Sequence, residues 1–222
     1  MKKVFMTFVV ALAVMFTLCI SSCDKCSKTE APEVVDTVAT TEVVTTGELI
    51  VENAISLDRQ YMFVNYGGDY RWFETCIVLK DFLDEECDGT ITGISNVFQV
   101  VDKSEDGKSF DVHVILGAHT PDTTVYEVKN AFWIEDMPLE EEAIQVTFAE
   151  AFEKLMETNC PKPHSQHVVL RKQVAPLDVN PQYIFGNMNE VVFVDAVTGE
   201  VNLKNPAFPE EMGFKMPLGE WP

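Results

Sequence analysis

Two segments, Phe148-Ala-Glu-Ala-Phe-Glu-Lys-Leu155 and Val192-Phe-Val-Asp-Ala-Val-Thr-Gly-Glu-Val201, decide how the fold of this 222-residue chain is read. Thr147 and Glu150 have the spacing of a capping box, in which hydroxyl and carboxylate each satisfy the other residue's backbone N–H. Apolar residues at Phe148, Ala151, Phe152, Leu155 and Met156 then form one helical stripe. Asn159, Pro161 and Pro163 stop the helix, because proline has no donor and clashes with the preceding turn. Strand patterns follow at His167–Val174, Gln182–Phe185 and Val191–Val194. Asp195, Thr198 and Gly199 supply turn chemistry that reverses the chain into Glu200–Leu203. The pattern predicts a helix laid across a small antiparallel sheet.

With its "VDA-x-TGE-V" ending, this stretch resembles a PepSY-type domain over residues 140–203. The resemblance implies a helix on a small antiparallel sheet and a non-catalytic role in binding or restraining peptidases. It identifies no contact residue, and it makes Asp195 and Gly199 a structural turn signature.

Working back toward the N-terminus, folded sequence is expected from Glu48. Tyr61–Val64 reads as a short strand and Asn65-Tyr-Gly-Gly68 as a turn. Asp69 is placed to cap a helix running to about Glu86, with Trp72, Phe73, Cys76, Ile77, Leu79 and Leu83 as its stripe and Gly89 ending it. Strands are predicted at Ile91–Val101, Ser109–Leu116 and Thr123–Ile134, the first two joined through Asp106-Gly107. Helix followed by strands repeats the order of the later stretch. The fold class expected is therefore α+β: two tandem PepSY- or cystatin-like units, 48–137 and 138–222, each a helix packed on an antiparallel sheet. The second unit ends in a tail with Pro206, Pro209, Pro217 and Pro222 among Phe208, Phe214 and Trp221, whose aromatics are expected to pack on the domain surface.

The first residues give an address. Lys2 and Lys3 precede an apolar run from Val4 to Ile20, then Ser21, Ser22 and Cys23. A basic start, an apolar core and small residues before a cut form a secretory signal over residues 1–22. Ile20-Ser-Ser-Cys23 resembles a bacterial lipobox, which implies a lipid on Cys23; an uncleaved membrane anchor is the alternative. Residues 23–47 then form a lipidated Thr- and Val-rich tether without aromatic residues, expected to stay disordered. Within it, Asp36-Thr37-Val38 resembles an O-glycosylation acceptor. The expected location is the bacterial cell envelope, anchored by lipid and facing the periplasm or the exterior.

Composition narrows the partners. The chain carries 36 acidic and 16 basic residues. Loss of Lys2 and Lys3 with the signal leaves 14 basic against 36 acidic, a formal charge of −22. Such a surface repels nucleic acid and anionic headgroups, so membrane attachment falls to the lipid. Cys26, Cys76, Cys87 and Cys160 remain, with three possible pairings in an oxidising compartment. On one straight helix, Cys76 and Cys87 would stand about 16 Å apart, beyond the about 7 Å that a bridge tolerates. Cys76 reads as a buried thiol, and a Cys87–Cys160 bond stays open.

Several groupings have the residue types of chemistry. Cys160, His164 and His167 offer three zinc-type ligands without a fourth. Asp102-Lys-Ser-Glu-Asp-Gly107 has the opening of a calcium loop, but its twelfth position is His113, not glutamate. Asp84-Glu-Glu86 and Glu140-Glu-Glu142 are acidic runs that read as solvated. No nucleophile elbow, metalloprotease helix, phosphate loop or dinucleotide fingerprint is present. The reading is a non-enzyme without metal or cofactor, binding a secreted or envelope protein. The alternatives are a small-ligand carrier with Trp72, Trp133 or Tyr126 in its pocket, and an enzyme using His113 or His119 beside Asp111.

Overall fold

The computed structural model describes residues 42–43, 48–103, 110–174, 179–187 and 190–207. The chain divides into a unit of residues 1–34, which lies outside the described residues, and a unit of residues 35–222 that carries every element below. Those elements are β1 (Glu42–Val43), α1 (Val51–Tyr66), β2 (Tyr70–Leu79), β3 (Ile91–Lys103), β4 (Phe110–His119), β5 (Thr124–Lys129) and β6 (Asp136–Met137), then α2 (Phe148–Glu157), β7 (His167–Gln173), β8 (Gln182–Asn187), β9 (Glu190–Asp195) and β10 (Val201–Asn202).

The strands form one antiparallel sheet in the order β1-β5-β4-β3-β2-β7-β8-β9-β10, with β6 pairing β7 off that path. This overturns the expected pair of tandem helix-on-sheet units. β2 pairs with β3 along one edge and with β7 along the other, so the two halves share a continuous ladder. The fold is largely β, with two short helices lying on one face of the sheet. Their buried residues merge into a single core. Val51, Ala54, Ile55 and Met62 of α1 and Phe148, Ala151 and Leu155 of α2 meet Ile77, Phe98, Ile115, Leu170, Tyr183, Phe185 and Val194 from six strands.

The first-half reading exchanged helix and strand. The predicted helix Asp69–Glu86 is instead strand β2, and the predicted strand Tyr61–Val64 lies inside α1. Both errors have a physical cause. β2 is buried on both faces from Trp72 to Ile77, and a strand buried on both faces shows an apolar run without alternation. A β-bulge between Trp72 and Glu74 adds a residue, which shifts the alternation and imitates helical spacing. Thr75, Ile77 and Val78 are β-branched and suit the pleated surface. In α1 the buried positions Val51, Ala54, Ile55, Asp58 and Met62 do follow helical spacing, but an aspartate interrupts the apolar stripe. The helix stops at Gly67, whose φ of 74° admits no ordinary side chain comfortably and whose N–H bonds to Phe63 O.

The second half follows the sequence pattern more closely. Thr147 and Glu150 form the reciprocal capping box at the start of α2. Strands β7, β8 and β9 begin at His167, Gln182 and Glu190. Asp195 organises the reversal after β9: its Oδ1 accepts from the backbone N–H groups of Val197 and Thr198, both at 2.8 Å. Gly199 has a φ of 73° and donates to Asp195 O. Burial by itself would raise the Asp195 carboxyl; the Thr198 and Val197 N–H groups and the Asn180 and Gln182 amides outweigh it and hold it below the usual carboxylate range.

Candidate functional site

Three groups of polar or exposed side chains stand out, each built by the register of neighbouring strands. The first lies beneath α1. Asp58 is wholly buried, and its Oδ2 accepts from Asn96 Nδ2 at 2.7 Å. Asn96 Oδ1 accepts from the Thr75 hydroxyl, whose oxygen accepts from Trp72 Nε1 at 3.2 Å. On the other side, Asp58 Oδ1 stands 2.9 Å from His119 Nε2, in ion-pair contact without hydrogen-bond alignment. His119 Nδ1 is in turn 2.9 Å from Thr124 Oγ1. Tyr126, stacked on Tyr61 with ring centroids 3.5 Å apart, has its hydroxyl pushed far up by burial and by the neighbouring Asp58 charge.

Threonine, histidine and aspartate in a row have the residue types of a nucleophile, base and orienting acid. Their burial argues for another task. The Asp58 side chain is 0% exposed and that of His119 3%, while Thr124 is covered as well. The Asn96, Thr75 and Thr124 hydrogen bonds, with the Asp58–His119 contact, tie α1 to β2, β3, β4 and β5. His119 therefore does not stand beside Asp111, as the enzyme alternative required, but beside Asp58.

The second group lies on the opposite face of the sheet. Arg171 Nη1 is 3.6 Å from Asp136 Oδ1 and 3.9 Å from Glu74 Oε2, and Trp133 Nε1 reaches Asp136 Oδ2 at 3.3 Å. Glu74 and Asp136 are both buried. Burial, against the pull of Arg171 and with the added repulsion of Glu74, pushes the Asp136 carboxyl up to about 7. The bulge at Phe73 makes this cluster possible. β2 pairs with β7 only as far as Glu74–Arg171, and β6 takes over the β7 edge at Lys172 and Gln173.

The third group is exposed. Where β4 begins and β5 ends, an open groove of about 470 Å³ is lined by Phe110, Asp111, Val112, His113, Asn130, Ala131 and Phe132. Phe110 is 58% exposed and Phe132 71%, and Ile134 just beyond reaches 79%. Val101 pairs with Val112 across the β3–β4 ladder and is also exposed, which extends the apolar strip sideways. Large apolar side chains grouped in this way on a surface mark contact sites. In the groove, His113 Nδ1 is 2.8 Å from Asn130 Oδ1, and its Nε2 is 3.8 Å from Asp102 Oδ2. A second open groove, about 500 Å³, lies between the end of α1 and Pro138–Glu142; Arg59 and Glu141 form an ion pair in it.

The remaining sequence candidates are placed as follows. Cys160 Sγ is 2.8 Å from Thr158 Oγ1. His164 lies against Asp84 at 2.9 Å and stacks on Phe82. His167 is half-buried at the start of β7, where burial lowers its basicity. Among the described residues, no three His, Cys, Asp or Glu side chains are arranged to hold a metal ion. Cys76, Cys87 and Cys160 form no disulfide, and Cys76 is buried in a strand, not a helix. Of the aromatic residues named for a carrier pocket, Trp72 lines the α1 groove, while Tyr126 and Trp133 line neither groove. Cys23, Cys26, the calcium-like Ser104–Gly107 segment and Trp221 lie outside the described residues.

Sequence reasoning missed Asp58, Asn96 and Thr75 entirely. The available signal was Asp58 itself, a charged residue at the centre of a helical apolar stripe. It also missed the Phe110–Phe132 groove, because the 21 intervening positions conceal that the two residues line one groove. No family model, characterised protein or solved structure matches this chain.

Proposed function

We propose that this chain is a non-catalytic, lipid-anchored protein of the bacterial cell envelope that binds another protein. The observation that carries the binding half is the exposed groove between Phe110 and Phe132 with Val101 and Ile134 beside it. Keeping such side chains in water forgoes about 1.5–3 kcal/mol each relative to burial. A surface that retains several together favours a covering partner. The envelope half rests on Lys2, Lys3, the apolar run and Ile20-Ser-Ser-Cys23. The non-catalytic half is supported by the burial of the Thr124–His119–Asp58 row. A small-ligand carrier is the less favoured reading, because both grooves are open and edged with charged side chains.

The test is site-specific photo-crosslinking in intact envelopes. A benzophenone amino acid at Phe132 should yield one discrete protein adduct that disappears when Phe110→Ala is added. The same probe at Leu203, 40% exposed and far along the sheet, should not yield it. An identical adduct pattern from both positions, or none from Phe132, would sink the protein-binding reading.

A further inference from the structure

The groove at Phe110 and Phe132 has charge as well as apolar surface. Asp111 lines it, and Asp102 stands behind His113. Glu135 follows Phe132 by three residues, and Glu127 lies two strand positions before Lys129. Lys129, next to Asn130, stands 3.5 Å from Glu127. An apolar partner laid over this groove would strip water from Asp111 without replacing its hydrogen bonds. An acidic partner would meet like charge, both locally and from a chain of formal charge −20. A cation answers both elements: phenyl faces attract it through their quadrupole, and carboxylates accept its donors.

Building on the protein-binding reading, we propose that the groove receives a lysine or arginine side chain of the partner protein. The aliphatic stem lies along Phe110 and Phe132, and the charged head is set against Asp111. Asn130 Oδ1, already engaged by His113, fixes the imidazole at the groove floor.

The test uses the full chain with ring-labelled histidine and three short amidated probes, acetyl-Leu-Lys-Leu, acetyl-Leu-norleucine-Leu and acetyl-Leu-Glu-Leu. His113 is the reporter, assigned through His113→Gln. His119, buried beside Asp58, reports that the fold is intact. The lysine peptide should shift the His113 signal saturably while His119 stays still. Phe110→Ala and Phe132→Ala should each weaken that binding about three- to five-fold, and Asp111→Asn several-fold. Norleucine and glutamate peptides should bind at least about ten-fold more weakly. Equal binding of lysine and norleucine would overturn the cation assignment and leave the crosslinking result to judge protein binding alone. Loss of the shift in none of the three variants would overturn the site. Self-association that disappears with Phe132→Ala would place a second copy of this chain in the groove and overturn the external partner.

Discussion

The carboxylate of Asp58 fills the space that a side chain at Gly117 would occupy: a Cβ built on Gly117 would stand 2.6 Å from Asp58 Cγ. The glycine on β4 is thus a seat for a buried charge from α1. Gly117→Ala should cost about 1–3 kcal/mol by overpacking. Asp58→Ala should cost about 3–5 kcal/mol, because it leaves His119 and Asn96 without their partner. The double variant should be less destabilised than the two losses added together, by more than about 0.5 kcal/mol. Urea melts of the four proteins check this, and strict additivity would show that the contact is not the reason for glycine.

Asp136 predicts a pH dependence of definite sign. Its folded-state pKa, about 7, lies above the ordinary carboxylate value of 3.8. The folded protein therefore binds more protons than the unfolded chain between those values, and stability from this group falls as pH rises from about 4 to about 7, then levels off. Asp136→Asn should remove that component while keeping a neutral group opposite Glu74. Thermal melts across this range should show the wild type losing ground relative to the variant. Parallel curves would mean that Asp136 stays ionised throughout.

Asp195 runs the other way. Its carboxyl is held below the usual range in the folded state, so its contribution is present above the unfolded pKa and lost as pH falls through the folded one. Asp195→Ala should flatten the acid limb of the stability profile. In the same turn, Gly199→Ala should cost about 1–2 kcal/mol, because its φ of 73° is unfavourable for a side chain. Gly199→Asn should recover part of that loss, since asparagine tolerates this conformation better.

The proposed anchor has a direct assay. Cys23→Ala should move the protein from the membrane fraction to the soluble fraction, and mass spectrometry should find the lipid mass on the wild type alone. Retention of the variant in membranes would point to an uncleaved apolar run as the anchor.

Legibility of the fold differs between the two halves for a physical reason. α2 has one buried stripe and a capping box, so its periodicity and start are written in few residues. β7 begins with alternation, while β8 and β9, buried along nearly their whole length, are short runs bounded by turn residues and so are found. β2 is the central strand, buried on both faces and bulged at Phe73, and each property erases alternation. α1 hides in the opposite manner: Asp58 breaks its stripe, Phe63 and Val64 lie exposed, and Ile50 makes no side-chain cap. The partnering of β2 with β7 is a tertiary fact that no local window contains. Of the groove residues, Asp111 and His113 stood out in sequence by their chemistry, but Phe110 and Phe132 did not, since their exposure follows from where the strands end.

That ladder between β2 and β7 also sets an order of events. Glu74 pairs with Arg171, and 96 residues, β3 to β6 among them, lie between the two. While the chain emerges from its N-terminus, β2 has β3 on one side and an open row of backbone donors and acceptors on the other. Pairing so distant in sequence forms late, after the entropy of a long loop has been lost. Until β7 arrives, this strand, buried from Trp72 to Ile77 in the finished sheet, is a sticky border, competent to recruit a strand from a neighbouring chain. A truncation anywhere before His167 would make that border permanent, so shortened versions of this protein should collect in aggregates instead of forming a smaller soluble domain.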